Sequence, residues 1–97
     1  MTAPAVTLYM AGTPDRPVSA SSALAVQLLD QCRIGYDTFD IGVDMSARAR
    51  AMSASSYRMF PQLFVNHEFI GGGEVVVELL RSEMLRAAHD LGGASGA

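Results

Sequence analysis

VTLYMAGTPDRPVS, residues 6–19, decides the fold of this chain. Its first half is apolar nearly throughout, which is typical of a central strand buried on both faces, and we place that strand at residues 5–10. A short loop containing Gly and Pro follows. Ser19 then precedes apolar residues at helical spacing, and its hydroxyl can cap the exposed amides of a helix over residues 20–33.

The next two segments continue the alternation of strands and helices. Period-two alternation over residues 36–41 predicts a second strand, which should run parallel to the first across a right-handed crossover. Asp44 is predicted to cap a short helix that ends near Ser53.

The last part of the chain is predicted to hold a hairpin and two helices. Residues 63–65 and 68–70 form the hairpin, a third helix begins at Gly72, and a separate final helix covers residues 82–91. The residues expected to face inward on this final helix are Met84, Leu85 and Ala88. The order β-α-β-α-β-β-α predicts an α/β protein with a thioredoxin-like, mixed four-stranded sheet flanked by helices.

The composition favours one small domain, which we place at residues 1–91, followed by a flexible tail at residues 92–97. Cys32 is the single cysteine, so no internal disulfide can form, and a lone thiol without a basic and apolar leader indicates the cytoplasm. No apolar run reaches transmembrane length. A formal net charge of -3 weighs against a nucleic acid or a membrane as partner.

Three motifs carry a family resemblance: LYMAGTPD (residues 8–15), FPQLFV (60–65) and IGGGE (70–74). On these residues the chain resembles a monothiol glutaredoxin of the Cys-Gly-Phe-Ser class over roughly residues 5–91. The resemblance implies that Ser19 replaces the active cysteine, that Ala20-Ser21 replaces the following Gly-Phe, and that Ala11 replaces a lysine used against glutathione.

The same resemblance implies a glutathione site. Pro61 is expected to be a cis proline that leaves the backbone of Phe60 free to pair with a bound cysteinyl group. The glycines before the third helix can present amides to a carboxylate or phosphate, and Arg58 can supply the charge absent at Ala11. The predicted ligand-binding residues are Ser19, Arg48, Arg58, Phe60, Pro61, Gly72, Gly73 and Glu74.

Ser19 is a poor candidate for a nucleophile. Ionising a hydroxyl at neutral pH costs about 12 kcal/mol if water stands in for serine, whereas a helix dipole contributes roughly 0.3–2 kcal/mol. His67 lies at the hairpin tip, on the order of 20 Å from the site, and His89 lies in the final helix. We interpret Ser19 as a helix cap, with hydrogen bonding to a glutathione thiolate as the alternative, and we assign no catalytic residue.

The sequence offers no metal site. Cys32 lies thirteen positions after Ser19, near the end of the same helix, where the dipole disfavours a thiolate, so we interpret it as a packed structural thiol. A serine oxygen is a poorer ligand for iron than a thiolate, and no other cluster of Cys and His exists. We therefore expect no [2Fe-2S] cluster.

The leading functional hypothesis is a redox-inactive glutaredoxin-like module that keeps part of a glutathione or peptide groove. It would act by binding a small thiol, a peptide or a protein partner, without thiol-disulfide oxidoreductase activity. One alternative is a glutathione-dependent transferase or lyase in which Ser19 stabilises the glutathione thiolate. The other is a variant of an iron–sulfur cluster carrier from which the cysteine has been removed.

Overall fold

The computed structural model describes residues 5–88, and side chains are described as far as Glu83. His89, Leu91 and the predicted tail lie outside these residues. The elements are β1 (Val6–Met10), α1 (Ala20–Gln31), β2 (Asp37–Asp40), α2 (Met45–Ser55), β3 (Gln62–Val65), β4 (Glu68–Gly72) and α3 (Gly73–Ala88). No helix within residues 5–88 is both long enough and apolar enough to cross a bilayer.

The four strands form one mixed sheet in the order β2-β1-β3-β4. Strand β1 pairs in parallel with β2 and antiparallel with β3, and β3 pairs antiparallel with β4 through the hairpin. The predicted α/β class, the mixed four-stranded sheet and the hairpin are therefore confirmed. Because β1 is paired on both edges, the loop that follows it starts from an interior strand of the sheet.

The main core lies between one face of the sheet and helices α1 and α3. Leu8 and Met10 of β1 point into it and are fully buried, as are Leu29 of α1 and Val76 of α3. Period-two alternation places Leu8 and Met10 on the same face of the strand, and helical periodicity supplies the apolar stripes that cover them. This packing fixes the starts of α1 and α3 relative to the end of β1.

Aromatic rings occupy the opposite face of the sheet. Tyr9 stacks on Phe39 with ring centroids 5.2 Å apart and meets Phe64 edge-on at the same centroid distance. The Arg50 guanidinium of α2 lies 5.4 Å from the Phe39 centroid, within range of a cation–π interaction. Asp44 Oδ1 accepts a hydrogen bond from the Ala47 N–H at 2.9 Å, which confirms the predicted cap of α2.

One predicted boundary was wrong. The sequence suggested separate helices before and after Ser82, whereas α3 runs without interruption from Gly73 to Ala88. No Gly or Pro stands between Glu74 and Ala88, and an exposed serine inside a helix costs only a fraction of a kcal/mol, about 0.5, relative to alanine. The expected inward orientation of Met84, Leu85 and Ala88 concerns side chains outside those described.

Helix α1 also ends earlier than predicted, at Gln31 instead of Arg33. Cys32 is the C-cap, and Arg33 has a φ of 59°, a left-handed conformation that stops the helix. The other predicted element boundaries differ from the observed ones by one or two residues.

Candidate ligand-binding site

The loop between β1 and α1 depends on Gly12. This residue has a φ of +89°, and a Cβ there would overlap the carbonyl oxygen of Arg16. The Val18 N–H donates to the Ala11 carbonyl at 2.9 Å, which closes the loop. Asp40 Oδ1 accepts from the Gly12 N–H at 3.0 Å and so ties the loop to the end of β2. These contacts hold the loop in one conformation, and the loop thereby sets the position of the start of α1.

Ser19 is the N-cap of α1. Its backbone is extended (φ -118°, ψ 154°), and its Oγ accepts a hydrogen bond from the Ser22 N–H at 3.2 Å. This is the geometry of a helix cap, as predicted from the sequence. The half-buried hydroxyl therefore stands at the electropositive end of α1, where the resemblance places the family cysteine.

Ser22 is a structural residue that the sequence analysis missed. It is fully buried, and its Oγ accepts a hydrogen bond from the Ala11 N–H at 3.1 Å. A signal was available, because Ser22 shares the inward face of α1 with Ala25, Val26 and Leu29 at helical spacing. A polar residue on that apolar stripe implies a specific buried partner.

A cleft at the start of α3, hereafter the main cleft, has a volume of about 530 Å³. Residues 69–75 form one side, and they comprise the end of β4 and the first turn of α3. Tyr57, Met59 and Phe60 from the loop before β3 form the other side, and Ser21 of α1 closes one end. The lining is mostly apolar or backbone, which suits a small organic or peptide ligand.

The structure brings several of the predicted site residues together. Phe60, Gly72, Gly73 and Glu74 all line the main cleft. The Phe60–Pro61 bond is cis, as the resemblance implied, and Pro61 is buried directly behind Gly73. A methyl group added at Gly73 would lie 3.5 Å from Pro61 Cδ. Their roles in binding remain predictions.

The remaining predicted residues lie outside this lining. Ser19 is two residues from Ser21 but is not itself in the wall of the main cleft. Arg58 is exposed and borders a different depression with Met52 and Ser56, while Arg48 is half-buried on α2. Among the described residues that line the main cleft, Glu74 is the one charged side chain. The two arginines can reach a ligand only beyond the cleft edge.

Gln62 and Tyr57 shape the wall, although the sequence analysis gave neither a role. Gln62 is fully buried, and its Nε2 donates to the carbonyl oxygens of Tyr57 at 2.9 Å and Met59 at 3.0 Å. The Tyr57 ring lies against Gly72 so closely that a Cβ there would be 2.7 Å from Tyr57 Cε2. A polar residue inside the otherwise apolar run PQLFV was the available signal for Gln62.

Cys32 is a structural thiol in this arrangement. Its Sγ donates to the Leu80 carbonyl at 3.6 Å, and its pKa is raised by burial and, secondarily, by the negative charge of Glu83. The thirteen residues that separate it from Ser19 correspond to about 20 Å along the helix axis. The interpretation of Cys32 as a packed thiol is therefore supported. Cys32 lies at the C-terminal end of α1, whereas the main cleft is at the N-terminal end.

The donor groups do not fit an iron–sulfur cluster at the start of α1. A serine oxygen stands there, and the thiol lies at the far end of the helix. Within the part of the chain that the structure describes, no group of three or more His, Cys, Asp or Glu side chains could hold a metal ion. His67, at the β3–β4 turn with a φ of 68°, borders a small depression beside Tyr9 and Arg50.

Comparison with known proteins identifies the family. The sequence model of the glutaredoxin family matches residues 6–70, which is more than half of the chain. The chain therefore belongs to the glutaredoxin family. The thioredoxin-like fold expected from the sequence is the fold of its glutaredoxin structural neighbours.

Several of the similar proteins are named as monothiol glutaredoxins. A monothiol glutaredoxin of rice is 38% identical over 84% of this chain, although the chain spans only 17% of the length of that relative. GrlA of Legionella pneumophila, a probable monothiol glutaredoxin, is 36% identical over 76% of the chain and 83% of its own length. The Trypanosoma brucei protein 1CGrx1 superposes with a TM-score of 0.76 and 28% identity, covering 93% of this chain and 63% of that one.

Proposed function

We propose that this chain is a redox-inactive glutaredoxin domain that binds glutathione, or a peptide resembling it, in the main cleft. It acts through that ligand or through a protein partner, without thiol–disulfide exchange. The observation that carries the proposal is Ser19, which holds the N-cap of α1 at the position where the resemblance places the cysteine.

A serine hydroxyl is a much weaker acid than a cysteine thiol, which disfavours thiol–disulfide exchange at this position. A cysteine thiol begins near pKa 8.5, and a helix N-terminus lowers that value by up to several units, so it attacks as a thiolate at neutral pH. A hydroxyl begins near the pKa of water, and the dipole contributes at most about 2 kcal/mol of the roughly 12 kcal/mol required. The one thiol, Cys32, is partly buried with a raised pKa.

The main cleft supports binding of a small peptide. Its volume of about 530 Å³ lies within the range of small-molecule sites. The first turn of α3 forms part of its wall, and the free amides of a helix start attract a carboxylate. Glu74 is exposed at the same helix start and is suited to a ligand ammonium group. Glutathione carries both kinds of group.

Titration calorimetry with reduced glutathione tests the binding. We expect saturable binding in the millimolar range or tighter. Glu74→Gln should weaken the affinity about two- to fivefold, as expected for one exposed ion pair. Glu78→Gln is the matched control, because Glu78 lies one turn further along α3 and does not line the main cleft. Absence of any binding at millimolar concentration would refute the proposal.

A mixed-disulfide reduction assay tests the redox half of the proposal. The natural sequence should show no rate above that of glutathione alone. Ser19→Cys should gain activity, since the cap position and the adjacent cleft are already formed. Cys32→Ala in the Ser19→Cys background should leave the gained rate unchanged. Reduction by the natural sequence at a rate similar to that of Ser19→Cys would overturn the claim of inactivity.

One observation favours the transferase or lyase alternative. Ser19 Oγ accepts from the Ser22 N–H, and within the described residues its own O–H donates to no protein acceptor. That hydrogen is available to a ligand thiolate beside the helix start. Saturable turnover of a glutathione-dependent reaction that is lost in Ser19→Ala and kept in Cys32→Ala would establish this function in place of pure binding.

A further inference from the structure

A second depression lies beside the main cleft, between α1 and α3. This side cleft has a volume of about 460 Å³ and shares Ser21, Gly73 and Glu74 with the main cleft. Beyond these shared residues it is lined by Leu24, Val77 and Glu78. The two clefts therefore adjoin at the shared residues and are together called the groove.

Two of the residues shared by the two clefts are small. Gly73 has no side chain, and a methyl group added there would meet Ser21 Cβ at 3.5 Å, which is ordinary van der Waals contact. Ser21 itself is exposed and contributes only a hydroxymethyl group. A ligand that spans both clefts would pass these two small residues, whereas an aromatic ring at either position would obstruct it.

The chemistry of the side cleft selects an apolar and uncharged group. Its floor consists of the half-buried Leu24 and Val77. Its rim carries the carboxylates of Glu74 and Glu78, which are four residues apart on α3 and so lie on the same helix face. Two carboxylates repel an anionic substituent, and the floor gains free energy by covering an alkyl chain.

We propose that the groove binds glutathione whose sulfur carries an apolar substituent, that is, an S-alkyl thioether conjugate. This inference rests on the proposed function and names its ligand class. Ser19 provides no thiolate for exchange, so nothing at the site requires the ligand sulfur to be free. From Ser19 to Leu24 the rise along α1 is about 7.5 Å, which is close to the length of a six-carbon chain.

Calorimetry with glutathione, S-methylglutathione and S-hexylglutathione tests the inference. We expect the hexyl compound to bind about tenfold tighter or more than the methyl compound, because its additional methylenes cover Leu24 and Val77. Leu24→Gln should remove most of that preference while leaving affinity for S-methylglutathione within about twofold, because Leu24 lines the side cleft and not the main cleft. Val77→Thr keeps the shape of the side chain and provides a second, milder loss of apolar surface if the first variant is poorly folded.

The control is Leu79→Gln, which makes the same change at an exposed leucine of α3 outside both clefts. It should leave the hexyl preference unchanged. Equal affinities for the hexyl and methyl compounds would overturn the inference while the proposed function stands. A hexyl preference that persists in both Leu24→Gln and Val77→Thr would overturn it as well. Failure of all three compounds to bind would instead refute the proposed function itself.

Discussion

The Oγ of Ser22 accepts a hydrogen bond from the backbone N–H of Ala11 at 3.1 Å, joining the first turn of α1 to the end of β1. Ser22 also donates its own N–H to Ser19 Oγ at 3.2 Å. One residue therefore connects the loop after β1, the helix and the cap. The position of Ser19 beside the main cleft depends on this pair of hydrogen bonds.

Ser22→Ala should lower the free energy of unfolding by about 1–3 kcal/mol, because the half-buried Ala11 N–H loses its partner, the fully buried Ser22 hydroxyl. Urea unfolding followed by circular dichroism measures the change. Ser21→Ala is the control, since Ser21 is exposed on the same turn, and it should stay within about 0.5 kcal/mol of the natural sequence. Equal losses in both variants would show that the buried hydrogen bond contributes nothing specific.

Gly12→Ala should cost about 1–3 kcal/mol of stability, because the residue adopts a φ of +89° and its Cβ would overlap the Arg16 carbonyl. Gly35→Ala is the matched control, since Gly35 is exposed and a Cβ there meets nothing within 4 Å. That variant should be neutral or more stable by up to about 1 kcal/mol. Thermal or urea unfolding compares the two, and a neutral Gly12→Ala would contradict the geometry of the loop.

Gln62→Glu should destabilise the protein more than Gln62→Leu. At neutral pH a glutamate cannot donate, so a buried carboxylate would face the carbonyl oxygens of Tyr57 and Met59, at a cost of several kcal/mol, about 3 or more. Leucine loses the same two donated bonds but also removes Gln62 Oε1, which is buried and has no partner among the described residues.

The Tyr57 carbonyl keeps a hydrogen bond from Ser55 Oγ at 3.3 Å, so only the Met59 carbonyl loses its partner and Gln62→Leu should cost about 1 kcal/mol. Its larger effect should be faster amide hydrogen exchange over residues 57–60, measured by mass spectrometry or NMR. If leucine proves more damaging than glutamate, the donated hydrogen bonds are not what holds this loop.

The stability of the protein should fall in strongly alkaline solution because of Tyr36. Burial, a hydrogen bond to the Asp30 carboxylate at 3.1 Å and the charge of that carboxylate raise the pKa of Tyr36 to about 12. An unfolded tyrosine ionises near pH 10, so the unfolded state loses its proton first as the pH rises. The contribution of Tyr36 is complete below about pH 10 and is lost between about pH 10 and 12.

Absorbance titration of tyrosinate should show one late-ionising group that disappears in Tyr36→Phe. Unfolding curves at successive pH values should show the decline in the natural sequence, and the variant should lose less stability over the same interval. A Tyr36 that ionises near pH 10 would contradict the described environment.

The fold was largely readable from the chain because its local signals agree with one another. Ser19 and Asp44 cap helices where their residue types predict, and Pro61 stands before β3 at a position that spares the sheet ladder. The continuity of α3 could not be predicted from the sequence, because serine is common at the start of a helix. In the structure the helix continues through Ser82 without a break.

Only some residues of the candidate site could be predicted from the sequence. The residues of the main cleft that belong to one continuous motif, Gly72 through Glu74, could be named from the family resemblance. Tyr57 and Ser21 could not, because their place in the wall follows from the packing of a loop and a helix that are distant in sequence. The side cleft could not be predicted for the same reason, since Leu24 lies on α1 and Val77 lies on α3.

Tyr57 gives the protein an optical reporter of its own. The chain has three tyrosines and no tryptophan, so tyrosine fluorescence is not masked by indole emission. Tyr9 stacks on Phe39, and the Tyr36 hydroxyl donates a hydrogen bond to Asp30; neither tyrosine lines the main cleft. The Tyr57 ring, in contrast, forms part of the wall of the main cleft. An occupant of the cleft must alter the solvent around that ring, and its arrival can be followed by emission intensity without any attached dye.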